Sequence, residues 1–276
     1  MSGSRSDFST MTFDEMEIAF IEDFVQFGAK INLSATLRLL AALPAEGIER
    51  KRLAAVILQQ LYIALEDFAV LLSAMIKRKE GGRHLHFEMS FSEKTGDDLL
   101  SGNHEEATSG RELTDAVGFS NVTVEKLNRI GYEVAESDFD TSFADFGSSV
   151  KQLAQYVGDF NEVKNRLKHG KAVFGVVFDL AESDEVAHAE YDKNKNRLSL
   201  AITDTSQDQV EVAVVFIAKL AKMSLDLLTL FTTQYHDDDA AVRIAYLAKD
   251  QYEEMVASAK AVGLSSKGLT DYVAAS

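Results

Sequence analysis

Residues Phe160 to Lys171, FNEVKNRLKHGK, carry the densest set of groups able to do chemistry in the chain. On a helix turning about 100° per residue, Asn161, Asn165 and His169 recur at i, i+4 and i+8 and form one polar stripe, while Tyr156, Phe160, Val163 and Leu167 share an apolar face. Lys164, Arg166, Lys168 and Lys171 surround the stripe, and no acid lies between Val163 and Lys171. Cations of this kind can hold a phosphodiester and stabilise its developing charge while an imidazole moves protons. Neighbouring positive charge disfavours imidazolium, so His169 is expected as a neutral base. The same residues also read as a helix terminus. Basic side chains in a last turn complement the exposed carbonyls, and a glycine such as Gly170 commonly ends a helix. Asn161 and Asn165 are poor helix formers that a terminus alone does not require.

Lys164-Asn165-x3-His169-Gly170, ending a long helix in a mostly helical chain, resembles the motif of HEPN-superfamily proteins. Asn165 and His169 match the family pattern, and Lys164 stands where arginine is usual. The resemblance implies an RNA-binding protein or metal-independent endoribonuclease, in a defence or toxin-type role, whose two copies share one cleft as a homodimer. It implies that His169 assists attack by the ribose 2′-hydroxyl and that Lys164, with Arg166 or Lys168, engages phosphate. Asn165 would orient the histidine or the ribose, and Lys171 and Asn161 would extend the RNA-binding surface. A lysine supplies a point charge without the bidentate fork of arginine, which weakens the implied activity more than the implied fold. A noncatalytic interaction protein, using the same stripe as an interface, is the competing expectation.

Other polar clusters are less complete. Glu185-x-x-His188 supplies one carboxylate–imidazole pair where helical di-iron sites need two pairs and further glutamates. His84-Leu85-His86-x-Glu88 could ligate a metal if extended, and His236-Asp237-Asp238-Asp239 is rich in oxygen ligands, but each set lacks ligands and the aspartates suit a helix cap. No metal and no cofactor is therefore expected. Lys77-Arg78-Lys79 with Arg83 and His84 could extend a nucleic-acid surface, but reads first as a solvated helix end. The chain has no Walker A motif, no G-x-G-x-x-G after a strand, no G-x-S-x-G elbow and no HExxH.

The elements that must position these groups are mainly helices. One proline among 276 residues leaves few obligatory breaks, and 46% hydrophobic content is enough to build a core. Zero cysteines exclude disulfides and thiolate chemistry. The formal charge, 28 − 44 = −16, opposes broad phosphate binding outside a local basic patch. No uncharged apolar run suffices for a membrane span, and a cytoplasmic protein without membrane association is expected.

The capping box Thr12 to Glu15 should start a helix that runs to Leu43, with Pro44 and Gly47 forming the next turn. Ile48 to Lys79 reads as a central helix. A short helix is expected over 122–130, capped by Ser120 or Asn121, with long helices over 138–169, 207–235 and 240–262 and a tail helix over 269–273. Segments 171–180 and 197–203 read as a β-hairpin. The expected fold is mainly α, an antiparallel helical bundle with this one small hairpin. It comprises a flexible N-terminus over 1–11 and a single helical domain over 12–276, with a mobile insertion at 81–112.

Overall fold

A computed structural model describes residues 11–90, 114–150, 185–192 and 196–262. These residues are mainly helical, with the character of a helical bundle. Helix α1 spans Phe13–Asp23 and begins with the expected reciprocal cap. Thr12 Oγ1 accepts the Glu15 amide at 3.2 Å, and Glu15 Oε2 accepts the Thr12 amide at 2.7 Å. A π turn at Phe24–Gly28 separates α1 from α2, Ala29–Ala41, so the single helix expected from Thr12 to Leu43 is interrupted. Helix α3 runs over Ile48–Lys79, with the bounds that the flanking Pro44–Gly47 and Gly81–Gly82 turns imply. Among the described residues it is the one helix long and apolar enough to cross a membrane, and 61% of its most apolar window is buried within the fold.

After α3 the chain reverses at Gly81, whose φ of +91° suits glycine, while the Gly82 amide caps the Lys77 carbonyl at 2.8 Å. The next segment is helical rather than extended: α4 spans Leu85–Met89. Helix α5, Val124–Arg129, is capped by Thr123, whose Oγ1 accepts the Lys126 amide, and not by Ser120 or Asn121. Helix α6 occupies residues 136–150 as far as it is described. Helices α7, Gln207–Tyr235, and α8, Asp238–Ala261, follow their expected bounds closely. Asp237 caps α8 by accepting the Ala240 amide at 2.7 Å.

Strands β1, Glu185–Asp192, and β2, Arg197–Asp204, form an antiparallel pair, with Glu185 opposite Asp204 and Asp192 opposite Arg197. The expected pairing of 171–180 with 197–203 is thereby corrected: the partner of β2 is the segment expected to be the connecting loop. Its charged composition misled, because the β-branched run 171–180 carries the stronger strand propensity. Asn196 enters β2 at φ +48°, a conformation that asparagine tolerates. Residues 171–180, the expected helix over 269–273, the N-terminal ten residues and 91–112 of the expected insertion lie outside the described residues.

The chain divides into two compact units. The first comprises Met1–Gly28, Ala69–Gln152 and Met223–Gln251, and the second Ala29–Phe68, Leu153–Lys222 and Tyr252–Ser276. In the second, Leu37, Ile57, Leu61, Leu65 and Phe68 are buried, as are Val210, Val214 and Ile217 of α7. The buried Arg50 guanidinium joins its elements by donating to the Thr205 carbonyl at 2.9 Å and to Gln207 Oε1 at 3.3 Å. In the first unit Ile21, Val25, Leu72, Met75, Leu85, Phe119, Leu228, Phe231 and Ile244 are buried. Thr229, Thr232 and Thr233 satisfy their buried hydroxyls on carbonyls four residues back, so α7 carries them without orphaned donors.

Gly118 is packed tightly against Tyr235 in the first unit. Its φ is +96°, and a Cβ there would collide with the Tyr235 hydroxyl. Gly118→Ala should lower stability by about 1–3 kcal/mol in chemical denaturation, from the backbone conformation alone. Steric displacement of Tyr235 should add to that loss, and Tyr235→Phe in the same chain should recover only this steric part.

Candidate functional site

Asn161, Lys164, Asn165, Arg166, Lys168, His169 and Lys171, the expected site, lie outside the described residues. Within them, the first unit gathers a different set of ionisable groups around the carboxylate of Glu17. Asp14 and Glu17 are three apart on α1 and so share a helix face. The last turn of α3 brings Arg78, the Gly81–Gly82 reversal brings His84 and His86 at the start of α4, and the end of α7 brings Tyr235 and His236.

Glu17 is fully buried. Its Oε1 accepts the backbone amide of Leu85 and lies 3.7 Å from Arg78 Nε. Its Oε2 lies 3.1 Å from Nε2 of His236, whose side chain is only 4% exposed, yet neither atom has a hydrogen bond of acceptable direction. That contact is one of proximity, with Oε2 and Nε2 close but not aligned as donor and acceptor. Burial pushes the Glu17 carboxyl up, but His236, the Leu85 amide and Arg78 together outweigh it and hold the group below the usual glutamate range.

Around this floor the site opens outward. Asp14 Oδ1 is 2.9 Å from His84 Nε2, and the Asp14 side chain is 72% exposed. The His84 hydrogen bond lowers the Asp14 carboxyl and burial opposes it, with smaller help from His84, His236 and Arg78 charge. Phe13 covers His84 with ring centroids 5.6 Å apart, and Phe87 lies 4.2 Å from the His86 ring. Both His86 ring nitrogens are buried without a hydrogen-bond partner. Burial depresses the His86 pKa, Glu17 opposes that, and His84 adds to it. Arg78 also lies 5.6 Å from the Tyr235 ring centroid. Burial raises the Tyr235 phenol, Arg78 opposes this and Glu17 supports it.

One ligand atom from each of Asp14, Glu17 and His84 lies within 4.8 Å of the other two, a grouping able to hold a metal ion. The sequence offers His84-Leu85-His86 and His236 as two separate, incomplete ligand sets; the fold brings both to Glu17. Glu17 itself is the residue that sequence reasoning missed. The available signal was register: Glu17, Ile21 and Val25 recur every four residues and all are fully buried, so an acid occupies a core position. Glu185 and His188 lie in β1 rather than in a loop.

No protein-family model matches the chain, and no curated protein or solved structure is detectably similar to it.

The depressed His86 and Glu17 groups act with the same sign. Each binds its proton less readily in the folded chain, so each contributes stability that is present above its unfolded pKa and lost as pH falls through its folded one. In EDTA, unfolding free energy should begin to fall below about pH 6.5, the ordinary histidine value, and fall again below about pH 4.5, the ordinary glutamate value. His86→Phe should flatten the upper limb and leave the lower one, as read from denaturation midpoints across pH.

Proposed function

We propose that the chain is a HEPN-like RNA-binding protein, built on an antiparallel helical bundle, that acts as a metal-independent endoribonuclease in a defence or toxin-type role. The observation that carries this reading is Lys164-Asn165-x3-His169-Gly170 in a mainly helical chain. His169 takes the proton of the ribose 2′-hydroxyl as that oxygen attacks the adjacent phosphorus, displacing the 5′-oxygen and leaving a 2′,3′-cyclic phosphate. Lys164, with Arg166 or Lys168, balances the charge that develops on the phosphoryl oxygens. Asn165 orients the histidine or the ribose, Asn161 and Lys171 extend the RNA contact, and a homodimer places two such stripes in one cleft. The chain acts in the cytoplasm under this reading.

A second reading, a noncatalytic interaction protein, is favoured by a separate observation. Val242 and Tyr246, four apart on one face of α8, are 44% and 72% exposed. An aromatic and a β-branched side chain presented together suit contact with another protein.

The readings separate in one assay. Purified wild type and His169→Ala are incubated with structured and unstructured RNAs in EDTA, and the product ends are analysed. The ribonuclease reading expects cleavage to a 2′,3′-cyclic end, falling about 10²–10⁴-fold in the mutant, the range for losing a general base. RNA binding should also weaken steeply with salt, because several cations displace counterions. Equal inactivity of both proteins, with salt-insensitive self-association that Tyr246→Lys abolishes, would replace the ribonuclease with the interaction protein.

A further inference from the structure

We propose that Asp14, Glu17, His84 and His236 bind a divalent transition-metal ion of the zinc class. This site stands apart from the ribonuclease reading, which needs no metal. The donors come from three places in the chain, α1, the start of α4 and the end of α7, and converge on the fully buried Glu17 carboxylate.

Distances carry the first part of the argument. Metal–ligand bonds of about 2.0–2.2 Å place neighbouring ligand atoms roughly 3–3.5 Å apart in a tetrahedral site. Asp14 Oδ1 and His84 Nε2 are 2.9 Å apart, Glu17 Oε2 and His236 Nε2 are 3.1 Å apart, and the Asp14, Glu17 and His84 donors all fall within 4.8 Å of one another. His236 stands outside that trio, beside Glu17 alone, and joins the sphere by a side-chain rotation toward it.

Orphaned polar atoms supply the second, independent part. His236 is buried at 4% side-chain exposure, and its Nε2 faces Glu17 Oε2 without a directed hydrogen bond on either atom. Buried atoms of this kind each lack a partner that folding ordinarily provides. A cation placed between them would accept both lone pairs. The remaining Glu17 oxygen is held by the Leu85 amide and by Arg78, contacts of the sort that orient a metal-binding carboxylate from behind.

Donor chemistry selects the ion. Two imidazoles with two carboxylates favour zinc, cobalt or ferrous iron over calcium and magnesium, which prefer oxygen alone. The gradient from buried Glu17 and His236 to exposed Asp14 provides an entry path for the ion.

The test uses full-length protein stripped of metal and titrated with Co²⁺, read by visible ligand-field absorption, with Zn²⁺ competition and Mg²⁺ and Ca²⁺ as contrasts. One Co²⁺ per chain with imidazole-type absorption, displaced by Zn²⁺ and not by Mg²⁺ or Ca²⁺, is expected. Asp14→Asn lies at the exposed mouth and His84→Gln keeps a polar side chain. Each should weaken binding more than tenfold while circular dichroism stays unchanged, and His236→Gln should shift the absorption band. Wild type without saturable Co²⁺ binding overturns the site. So does stoichiometric binding that the Asp14→Asn, His84→Gln double variant leaves unchanged, because the metal would then sit elsewhere in the chain.

Discussion

The carboxylate of Glu17 fixes the polar interior of the first unit. It is fully buried, and it ties α1 to the last turn of α3 through Arg78, to the first amide of α4 through Leu85, and to the end of α7 through His236. Removing a carboxylate from water carries a desolvation cost of several kcal/mol, which only close positive charge and directed donors offset. Three helix ends must therefore arrive together for the first unit to close. The short helix α4 depends on this most directly, since five residues form no stable helix alone and its first amide is satisfied by Glu17 rather than by its own N-cap side chain. The aromatic layer of Phe13, Phe20 and Phe87 then packs over the imidazoles of α4 and shelters them from solvent.

Much of the helical framework is legible from local rules. Pro44 and Gly47 on one side and Gly81 with Gly82 on the other bracket α3, and the Thr12–Glu15 box starts α1, because caps and breakers act within a few residues. Helices α7 and α8 are as legible, with Asp237 in the cap expected of the aspartate run. The π turn at Phe24–Gly28 is not. It inserts an extra residue into an otherwise unbroken helical pattern, and although Gly28 at its end weakens the helix, a glycine alone does not specify a π turn. Strand pairing fails for a related reason. The sequence ranks segments by propensity, while the partner of β2 is decided by register across a turn that Asn196 closes.

The polar centre was legible only in pieces. His84 and His236 each stood in a short run that offered ligands without enough of them, and Asp14 appeared only as a residue inside a capping box. Their meeting joins residues up to 222 positions apart, 236 − 14, which no local pattern encodes. The one local clue was negative: an acid at a register position that its neighbours Ile21 and Val25 fill with apolar side chains. Such a departure from the core pattern marks a place where the fold accepts a cost, and costs of this kind concentrate at sites with a task. The basic stripe from Lys164 to Lys171 is the opposite case. Its spacing is fully visible in the sequence, but spacing alone leaves it equally compatible with a helix terminus.

Charge argues that the Glu17 centre does more than hold helices together. A purely structural ion pair is best served by one carboxylate facing one guanidinium with aligned, bidentate hydrogen bonds. Arg78 instead meets Glu17 at 3.7 Å through a single Nε that itself lacks a hydrogen bond, while three histidines crowd the same region. Imidazoles are poor structural counter-ions near neutral pH, because they need not be charged there. Both nitrogens of His86 lie buried among aromatic rings, a setting that favours its neutral form. Imidazole nitrogens beside carboxylate oxygens also make a donor set, since an unprotonated ring nitrogen presents a lone pair that a cation can share. The same arrangement that looks under-satisfied as an ion pair is coherent as a set of ligands.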